Sequence, residues 1–275
     1  MRRNPGGRGK SSSARAAIGL LGVVHLPPLP GAPRARAMAE VRKSALADAR
    51  ALAQGGVDGL IVENFGDVPF HRGDARDPVP PHVTAALALI GRLLAEETGL
   101  PVGINCLRND ARAALGAAAA AELSFIRVNV HVGAMVTDQG ILEGDAARTL
   151  RYRQELGSDV KILADLLVKH AAPLAAHAVE DLARDTVERG LADAVIVTGP
   201  ATGAPVDRAR LQAVRRAVSV PVLVGSGLDA HNARDLWPLC DGAIVGTAFK
   251  RKGDVRQPVD VARVRRIVAR CRSAS

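Results

Sequence analysis

The stretch that decides the fold is residues 221–250, which read PVLVGSGLDAHNARDLWPLCDGAIVGTAFK. It holds two apolar runs, 222–224 and 242–245, and glycine and a hydroxyl residue follow each of them. Runs of about four apolar residues are typical of parallel strands that are buried on both faces. Glycines after such strands let backbone N–H groups approach a ligand closely. The pattern therefore predicts two strands that end in anion-binding loops, with tight turns that bind nothing as the alternative.

The position of these two runs in the chain favours a phosphate site. In an eight-stranded βα barrel, the loops after the seventh and eighth strands form such a site beside a helix N-terminus. The two runs are the last strand candidates in the sequence. We therefore predict that phosphate binds in a cup, defined as Gly225, Ser226, Gly227, Gly246 and Thr247.

Six further strand candidates precede this stretch, and helical spacing follows most of them. They cover residues 18–25, 58–63, 101–105, 125–131, 160–165 and 192–198. Polar residues follow almost every strand, whereas an open α/β sheet gathers its ligands at one switch point. The chain has 275 residues, and one barrel usually needs roughly 250. The predicted fold is α/β, a single (β/α)8 TIM barrel over residues 16–275 after a disordered basic arm over residues 1–15.

The net charge of +9 is concentrated at the two ends of the chain. The basic residues there are Arg2, Arg3, Arg8, Lys10, Arg15, Arg263, Arg265, Arg266, Arg270 and Arg272. The rest of the chain is close to neutral. Aromatic residues make up only 2% of the full sequence, so few side chains could stack on bases. We expect no nucleic-acid partner. The basic C-terminal helix indicates a solvated face, with peripheral contact to a membrane surface as the alternative.

The cysteines and the N-terminal region bear on the compartment. Cys106, Cys240 and Cys271 are odd in number and widely spaced, which argues against a disulfide framework and against a zinc ribbon. The first residues lack the pattern of a signal peptide, and no apolar stretch has the length of a membrane span. We expect a cytoplasmic protein that forms a homo-oligomer.

Candidate catalytic groups lie at the ends of the second, fourth and fifth strands. They are Glu63, His131, Asp165 and Lys169. Carboxylates and imidazole transfer protons, and an amine acts as an electrostatic clamp or forms a Schiff base. The alternatives are an ion pair inside the barrel for Glu63 and a solvated rim charge for Lys169. A divalent metal ion bound by Glu63, Asp67 or Asp165 is a further alternative, although the sequence has no recognisable metal-ligand spacing. The sequence identifies no cofactor.

Candidate substrate-binding residues lie at or near the ends of the first, second, third, fourth and sixth predicted strands. They are His25, Asn64, Asp67, Asn105, Arg108, Arg127, Asn129 and Thr198. Strand alternation predicts that Arg127, Asn129 and His131 share one face, and the cost of burying them against helices favours the lumen. The glycine-rich segment 133–140 is long for a loop, which predicts a lid.

Several longer motifs carry a resemblance to a known family. They are residues 22–31 (GVVHLPPLPG), 62–67 (VENFGD), 103–105 (GIN), 107–110 (LRND), 125–131 (FIRVNVH), 137–140 (TDQG), 168–171 (VKHA), 222–227 (VLVGSG) and 245–247 (VGT). With them the chain resembles the BtpA/SgcQ family over roughly residues 18–262. Cys106 is one departure, since a small aliphatic residue is expected there. The resemblance implies a relation to phosphate-binding TIM barrels and, from the family name, to photosystem I biogenesis at a membrane.

Two functions from different classes follow. The first is an enzyme that acts on a small phosphorylated metabolite, a sugar or nucleoside phosphate, by isomerase, lyase or hydrolase chemistry. The second is a non-catalytic assembly or stability factor for a membrane complex. The dense polar lumen favours the enzyme, because a scaffold has little reason to place charged groups in a low-dielectric core.

Overall fold

The computed structural model describes residues 18–168, 171–175, 177–199 and 206–274. The predicted arm over residues 1–15 lies outside these residues. The strands are β1 (Gly19–His25), β2 (Gly59–Glu63), β3 (Val102–Asn105), β4 (Phe125–Val128), β5 (Ala134–Thr137), β6 (Gly140–Glu143), β7 (Lys161–Asp165), β8 (Ala171–Pro173), β9 (Ala194–Val197), β10 (Val222–Val224) and β11 (Gly242–Val245). The helices are α1 (Met38–Gly55), α2 (Pro81–Thr98), α3 (Ala111–Ala120), α4 (Ala146–Glu155), α5 (Val179–Arg184), α6 (Arg208–Ala217), α7 (Ala233–Leu236) and α8 (Val261–Arg272).

The predicted barrel is confirmed. Parallel strands close in the order β1-β11-β10-β9-β7-β4-β3-β2, and β1 pairs with β11 from Gly19 opposite Gly242 onward. Closure leaves no free edge on the barrel.

Local sequence signals set the helix ends. Gly56 ends α1 with a φ of 91°, which glycine adopts without steric cost. Asp110 caps α3 by accepting from the Ala113 N–H, and Asp260 caps α8 in the same way. Helix α5 begins at Val179, and a π-helical turn from Asp185 to Arg189 continues it.

The apolar core has two parts that follow from strand alternation. One side of each strand packs against the helices, where Val24, Val62 and Ile104 are fully buried. The other side fills the lower lumen with a separate cluster. Its members are Leu21, Val23, Ile61, Phe125, Leu163, Ala194, Ile196, Leu223 and Ile244. The lumen is therefore packed at its base, which leaves its upper end for polar side chains.

The segment predicted as a long loop over residues 133–140 is instead part of a small antiparallel sheet, of order β6-β5-β8. Asp138 and Gln139 form the turn between β5 and β6, where Thr137 pairs with Gly140. Gly140 has a φ of 87°, so glycine suits this turn. The segment still projects beyond the barrel, as a hairpin rather than as an irregular lid.

Candidate active site

The alternation that packs the lower lumen continues into polar residues at the carboxyl ends of the strands. Along β2, inward-facing Ile61 is followed two positions later by Glu63, and along β7 Leu163 is followed by Asp165. The same step of two residues carries His25, Asn105 and Arg127 into the upper lumen. In TIM barrels this end of the strands carries the active site.

A cavity of about 660 Å³ opens at this end of the barrel. The predicted residues that line it are His25, Glu63, Asn105, Arg108, Arg127, Asn129, Gly225, Ser226, Gly227, Gly246 and Thr247. The structure thus brings the predicted cup and most of the predicted polar residues to one cavity, here called the central cavity. Its volume is typical of a site for a small molecule.

Asp165 lies at the centre of a hydrogen-bond network beneath this cavity. Its carboxylate accepts from Arg127 Nε at 3.0 Å and from Arg127 Nη2 at 3.1 Å. It also accepts from Asn129 Nδ2 at 2.8 Å and from the Thr198 hydroxyl at 3.3 Å. The Asp165 side chain is fully buried. A buried carboxylate with this set of donors acts best by holding Arg127 and Asn129 in place.

The two arginines of the cavity differ in their electrostatic surroundings. Burial opposes the charge of Arg127 most strongly, but the fields of Asp165 and Glu63 and the hydrogen bond to Asp165 together raise its pKa. For Arg108, burial lowers the pKa against the opposing fields of Asp138, Asp165 and Glu63. Both guanidinium groups remain charged near neutral pH, because the ordinary pKa of arginine lies far above neutral pH. The cavity therefore presents fixed positive charge beside the Glu63 carboxylate.

The cup occupies one side of the cavity. The Gly225 N–H donates to Val197 O at 2.8 Å, so Gly225 contributes mainly by its small size. A Cβ at Gly225 would lie 2.3 Å from Ile196 Cγ2, and one at Gly246 would lie 2.5 Å from His25 Cε1. Ser226 is only 7% exposed, and its Oγ has no hydrogen-bond partner among the described residues. A buried hydroxyl of this kind needs a partner, which a ligand oxygen would supply.

Asn64 and Asp67 are not among the residues that line the cavity, and their side chains instead connect loops. Asn64 Oδ1 accepts from the Leu107 N–H at 2.7 Å, while Asp67 Oδ1 accepts from the Leu29 N–H at 2.7 Å. Asn64 Nδ2 also donates to Asp67 Oδ2 at 3.2 Å. Burial raises the pKa of Asp67. These two residues hold the rim after β1 and β3 together, a role that their place beside Glu63 did not indicate.

His131 lies away from the central cavity, contrary to the alternation argument. Strand β4 ends at Val128, so the two-residue step holds for Asn129 but no longer for His131. The buried His131 ring bonds to Gly190 O through Nε2 at 2.7 Å. It lines a second cavity, of about 320 Å³, beside α3 and α4. The fourth predicted catalytic residue, Lys169, lies outside the described residues.

Several residues of the central cavity were not predicted. Asp138 enters from the turn between β5 and β6, and Phe65 and Phe70 come from the chain after β2. The Phe65 ring meets the His25 ring edge-on, with centroids 4.9 Å apart. Arg263, from the first turn of α8, also lines the cavity and donates to Ala248 O at 2.9 Å. The TDQG motif around Asp138 was the one sequence feature that marked this turn. Sequence spacing alone does not predict that the turn lies at the cavity.

Within the described ranges, no group of three or more His, Cys, Asp or Glu side chains is arranged to hold a metal ion. None of the helices described above combines the length and the apolar character that crossing a bilayer requires.

A closed barrel of parallel strands with a charged cavity at their carboxyl ends defines a TIM-barrel protein. The chain belongs to the BtpA family, whose family model matches residues 17–273. One relative is the photosystem I biogenesis protein BtpA of Synechocystis sp., which is 47% identical over 247 residues. That match covers 89% of this chain and 85% of the relative.

Solved structures with the same fold are more distant in sequence. Thiamine phosphate pyrophosphorylase from Pyrococcus furiosus has a TM-score of 0.58 at 13% identity, covering 93% of this chain and 96% of its own. Orotidine 5'-phosphate decarboxylase from Pyrococcus horikoshii has a TM-score of 0.55 at 14% identity, covering 92% and 99%. At these identities the likeness shows the fold alone.

Proposed function

We propose that this protein is an enzyme that binds a sugar phosphate or nucleoside phosphate in the central cavity and converts it by acid–base chemistry. The observation that carries the proposal is the buried Ser226 Oγ, which has no partner among the described residues and lies in the same cavity as Glu63. A phosphate oxygen fits the Ser226 hydroxyl at the place where TIM barrels bind phosphate. The two structural neighbours support this choice, because their names contain phosphorylated compounds.

Each group in the cavity has a role in such a reaction. Glu63 transfers the proton, since it is a carboxylate at a strand end, 7% exposed and facing the ligand space. Arg108 stabilises negative charge that develops on the substrate, because it is a buried cation in the same cavity. Asp165 holds Arg127 and Asn129 against the substrate and does not itself react. Proton transfer beside fixed positive charge suits isomerase, lyase or hydrolase chemistry.

Ligand binding tests the phosphate site first. Inorganic phosphate, ribose 5-phosphate, glucose 6-phosphate and a panel of nucleotides are added in a thermal-shift assay. A compound at about a hundred times its Kd adds about 3 kcal/mol to the free energy of unfolding, which raises Tm measurably.

The Ser226→Ala variant should weaken binding of inorganic phosphate and of any compound that binds, by about tenfold, because one hydrogen bond is lost. Thr149→Val is the matched control, since the Thr149 hydroxyl is also buried without a described partner but lies outside the central cavity. If none of the phosphorylated compounds raises Tm, the proposed function is wrong.

Catalysis is tested by Glu63→Gln with the compounds that bind. This variant should lose turnover by about a hundredfold or more, because the proton-transferring group is gone, while inorganic phosphate binds as before. Full turnover in Glu63→Gln would remove Glu63 from the mechanism.

A second candidate function rests on the name of the cyanobacterial relative, a photosystem I biogenesis protein. In that case the protein is an assembly factor that contacts a membrane surface through the exposed arginines of α8, such as Arg266 and Arg270. Sedimentation with vesicles of anionic lipid would then occur for the natural protein and be lost in Arg266→Glu/Arg270→Glu. The enzyme proposal predicts unchanged turnover in this double variant.

A further inference from the structure

The orientation of one amide in the central cavity restricts which ligand can bind there. Asp165 is the starting point, because both oxygens of its carboxylate accept from the Arg127 guanidinium and carboxylate oxygens act as acceptors. The Asn129 atom that faces Asp165 Oδ2 at 2.8 Å must therefore be Nδ2, the donor end of the amide. Asn129 Oδ1 consequently points away from Asp165, toward β3.

Asn105 receives its orientation from Asn129. Asn105 Nδ2 donates to Asn129 Oδ1 at 3.1 Å and to the backbone carbonyl of Arg127 at 3.0 Å. If the Asn105 amide were rotated by half a turn, its oxygen would face two acceptors, which is unfavourable. The hydrogen bond from Asn129 to Asp165 and the one from Asn105 to Asn129 thus fix which end of the Asn105 amide is the donor toward β4. The Asp165 carboxylate sets this orientation.

The remaining end of the Asn105 amide is an acceptor with nothing bound to it. Asn105 is 1% exposed and lines the central cavity, and its Oδ1 has no hydrogen-bond partner among the described residues. A hydroxyl or N–H group of a ligand would satisfy this oxygen. A ligand carbonyl, ether or phosphate oxygen at the same place would bring two acceptors together, so it would be excluded.

We propose that Asn105 Oδ1 accepts a hydrogen bond from one hydroxyl group of the sugar or nucleoside phosphate, so that Asn105 determines the specificity for that hydroxyl group. The proposal rests on the proposed function, because the phosphate occupies the cup. Ser226 Oγ and Asn105 Oδ1 then mark two contact points of one ligand, an anionic group and a hydroxyl group. Sites built to bind a hydroxyl discriminate strongly against analogues that lack it.

Matched pairs of compounds test this selection in the natural protein by titration calorimetry. The pairs are ribose 5-phosphate with 2-deoxyribose 5-phosphate, glucose 6-phosphate with its deoxy analogues at each hydroxyl position, and glycerol 3-phosphate with dihydroxyacetone phosphate. In at least one pair, the hydroxyl compound should bind about tenfold more tightly or better, because one buried hydrogen bond distinguishes the two. Equal affinity within every pair would overturn the proposal without any variant.

The Asn105→Ala variant provides the second measurement. In this variant the preference for the hydroxyl compound, in any pair that shows it with the natural protein, should disappear. The Kd of inorganic phosphate should stay unchanged, because phosphate binds at the cup. Asn109→Ala is the matched control: Asn109 also follows β3, but its amide is paired with the backbone of Val130, and it lines the second cavity. That control should keep the preference. A preference that survives in Asn105→Ala would also overturn the proposal.

The outcomes for the two proposals are separable. If inorganic phosphate and every phosphorylated compound fail to bind, the proposed function fails and the role of Asn105 fails with it. A different result would be that phosphorylated compounds bind, Ser226→Ala weakens their binding, and no pair shows a preference for the hydroxyl compound. In that case only the proposed role of Asn105 is wrong.

Discussion

Two carboxylates reach the upper lumen of the barrel, and their surroundings give them different roles. Asp165 is enclosed by donors from Arg127, Asn129 and Thr198. Glu63 lines the central cavity itself. Pairs of acidic groups in unlike environments are a common way to separate a reacting group from a structural one. Their positions at strand ends predict that both residues lie in the lumen. The hydrogen bonds of Asp165, which the sequence does not reveal, distinguish the two carboxylates.

Replacing Asp165 tests its structural role. Asp165→Asn removes the carboxylate that pairs with the buried Arg127, so the free energy of unfolding should fall by about 3–5 kcal/mol. Urea unfolding followed by circular dichroism measures the change. Asp254→Asn is the control, because Asp254 pairs with a guanidinium that is 85% exposed, and it should change stability by less than about 0.5 kcal/mol. Similar losses in both variants would contradict the assignment.

At the scale of elements, Arg72, in the chain after β2, bonds to the hairpin of β5 and β6 and adds to the apolar packing of Met135 and Leu142. Arg72 Nη1 donates to Gln139 O at 2.7 Å, Arg72 Nη2 donates to Ile141 O, and Arg72 Nε pairs with Asp74 at 2.9 Å. Through these bonds Asp138 is held at the wall of the central cavity. The position of the hairpin therefore depends in part on a residue more than sixty positions earlier in the chain.

Removal of the Arg72 side chain should release this hairpin. In Arg72→Ala, amide hydrogen exchange over residues 134–143 should accelerate while exchange in the barrel strands stays unchanged, because local opening costs less than global unfolding. Mass spectrometry of peptic fragments reads this out. Arg76→Ala is the control, since the Arg76 side chain is 70% exposed and its guanidinium lies 3.9 Å from Asp74 and 3.7 Å from Glu143. Unchanged exchange in Arg72→Ala would show that other contacts hold the hairpin.

At the scale of the whole molecule, stability should depend on pH through His131. Burial lowers the pKa of this imidazole, with a smaller contribution from the nearby Arg153 against the Gly190 hydrogen bond and Asp193. The unfolded chain therefore takes up a proton at a higher pH than the folded protein does. The stabilising contribution is present above the pKa of the unfolded state and is lost as pH falls toward that of the folded state.

Unfolding in urea at about pH 8 and about pH 5 measures this dependence, since histidine titrates in that range. The natural protein should lose stability on acidification, and His131→Gln should lose clearly less, because glutamine can donate to Gly190 O without titrating. If both proteins lose the same free energy of unfolding between these two pH values, groups other than His131 cause the pH dependence.

The barrel and the upper lumen were predictable because they follow from strand alternation. Arg127 and Asn129 lie where the two-residue step places them, and the cup residues follow the last two strands. The step failed for His131, since hydrogen bonding in β4 stops at Val128. Asp138 could not be placed at the cavity, because the attachment of its hairpin is a tertiary contact of Arg72. Asn64 and Asp67 resemble site residues in sequence, yet their partners are loop N–H groups.

The pairing of β1 with β11 joins strands from opposite ends of the sequence. A ribosome releases the N-terminal part of a chain first, at about 5–20 residues per second. During that interval the edge of β1 that β11 will cover has no partner in the nascent chain, and exposed edges are sites of aggregation. Since the cup is formed by the loops after β10 and β11, a nascent chain completes the cup and covers this exposed edge at the same stage of synthesis.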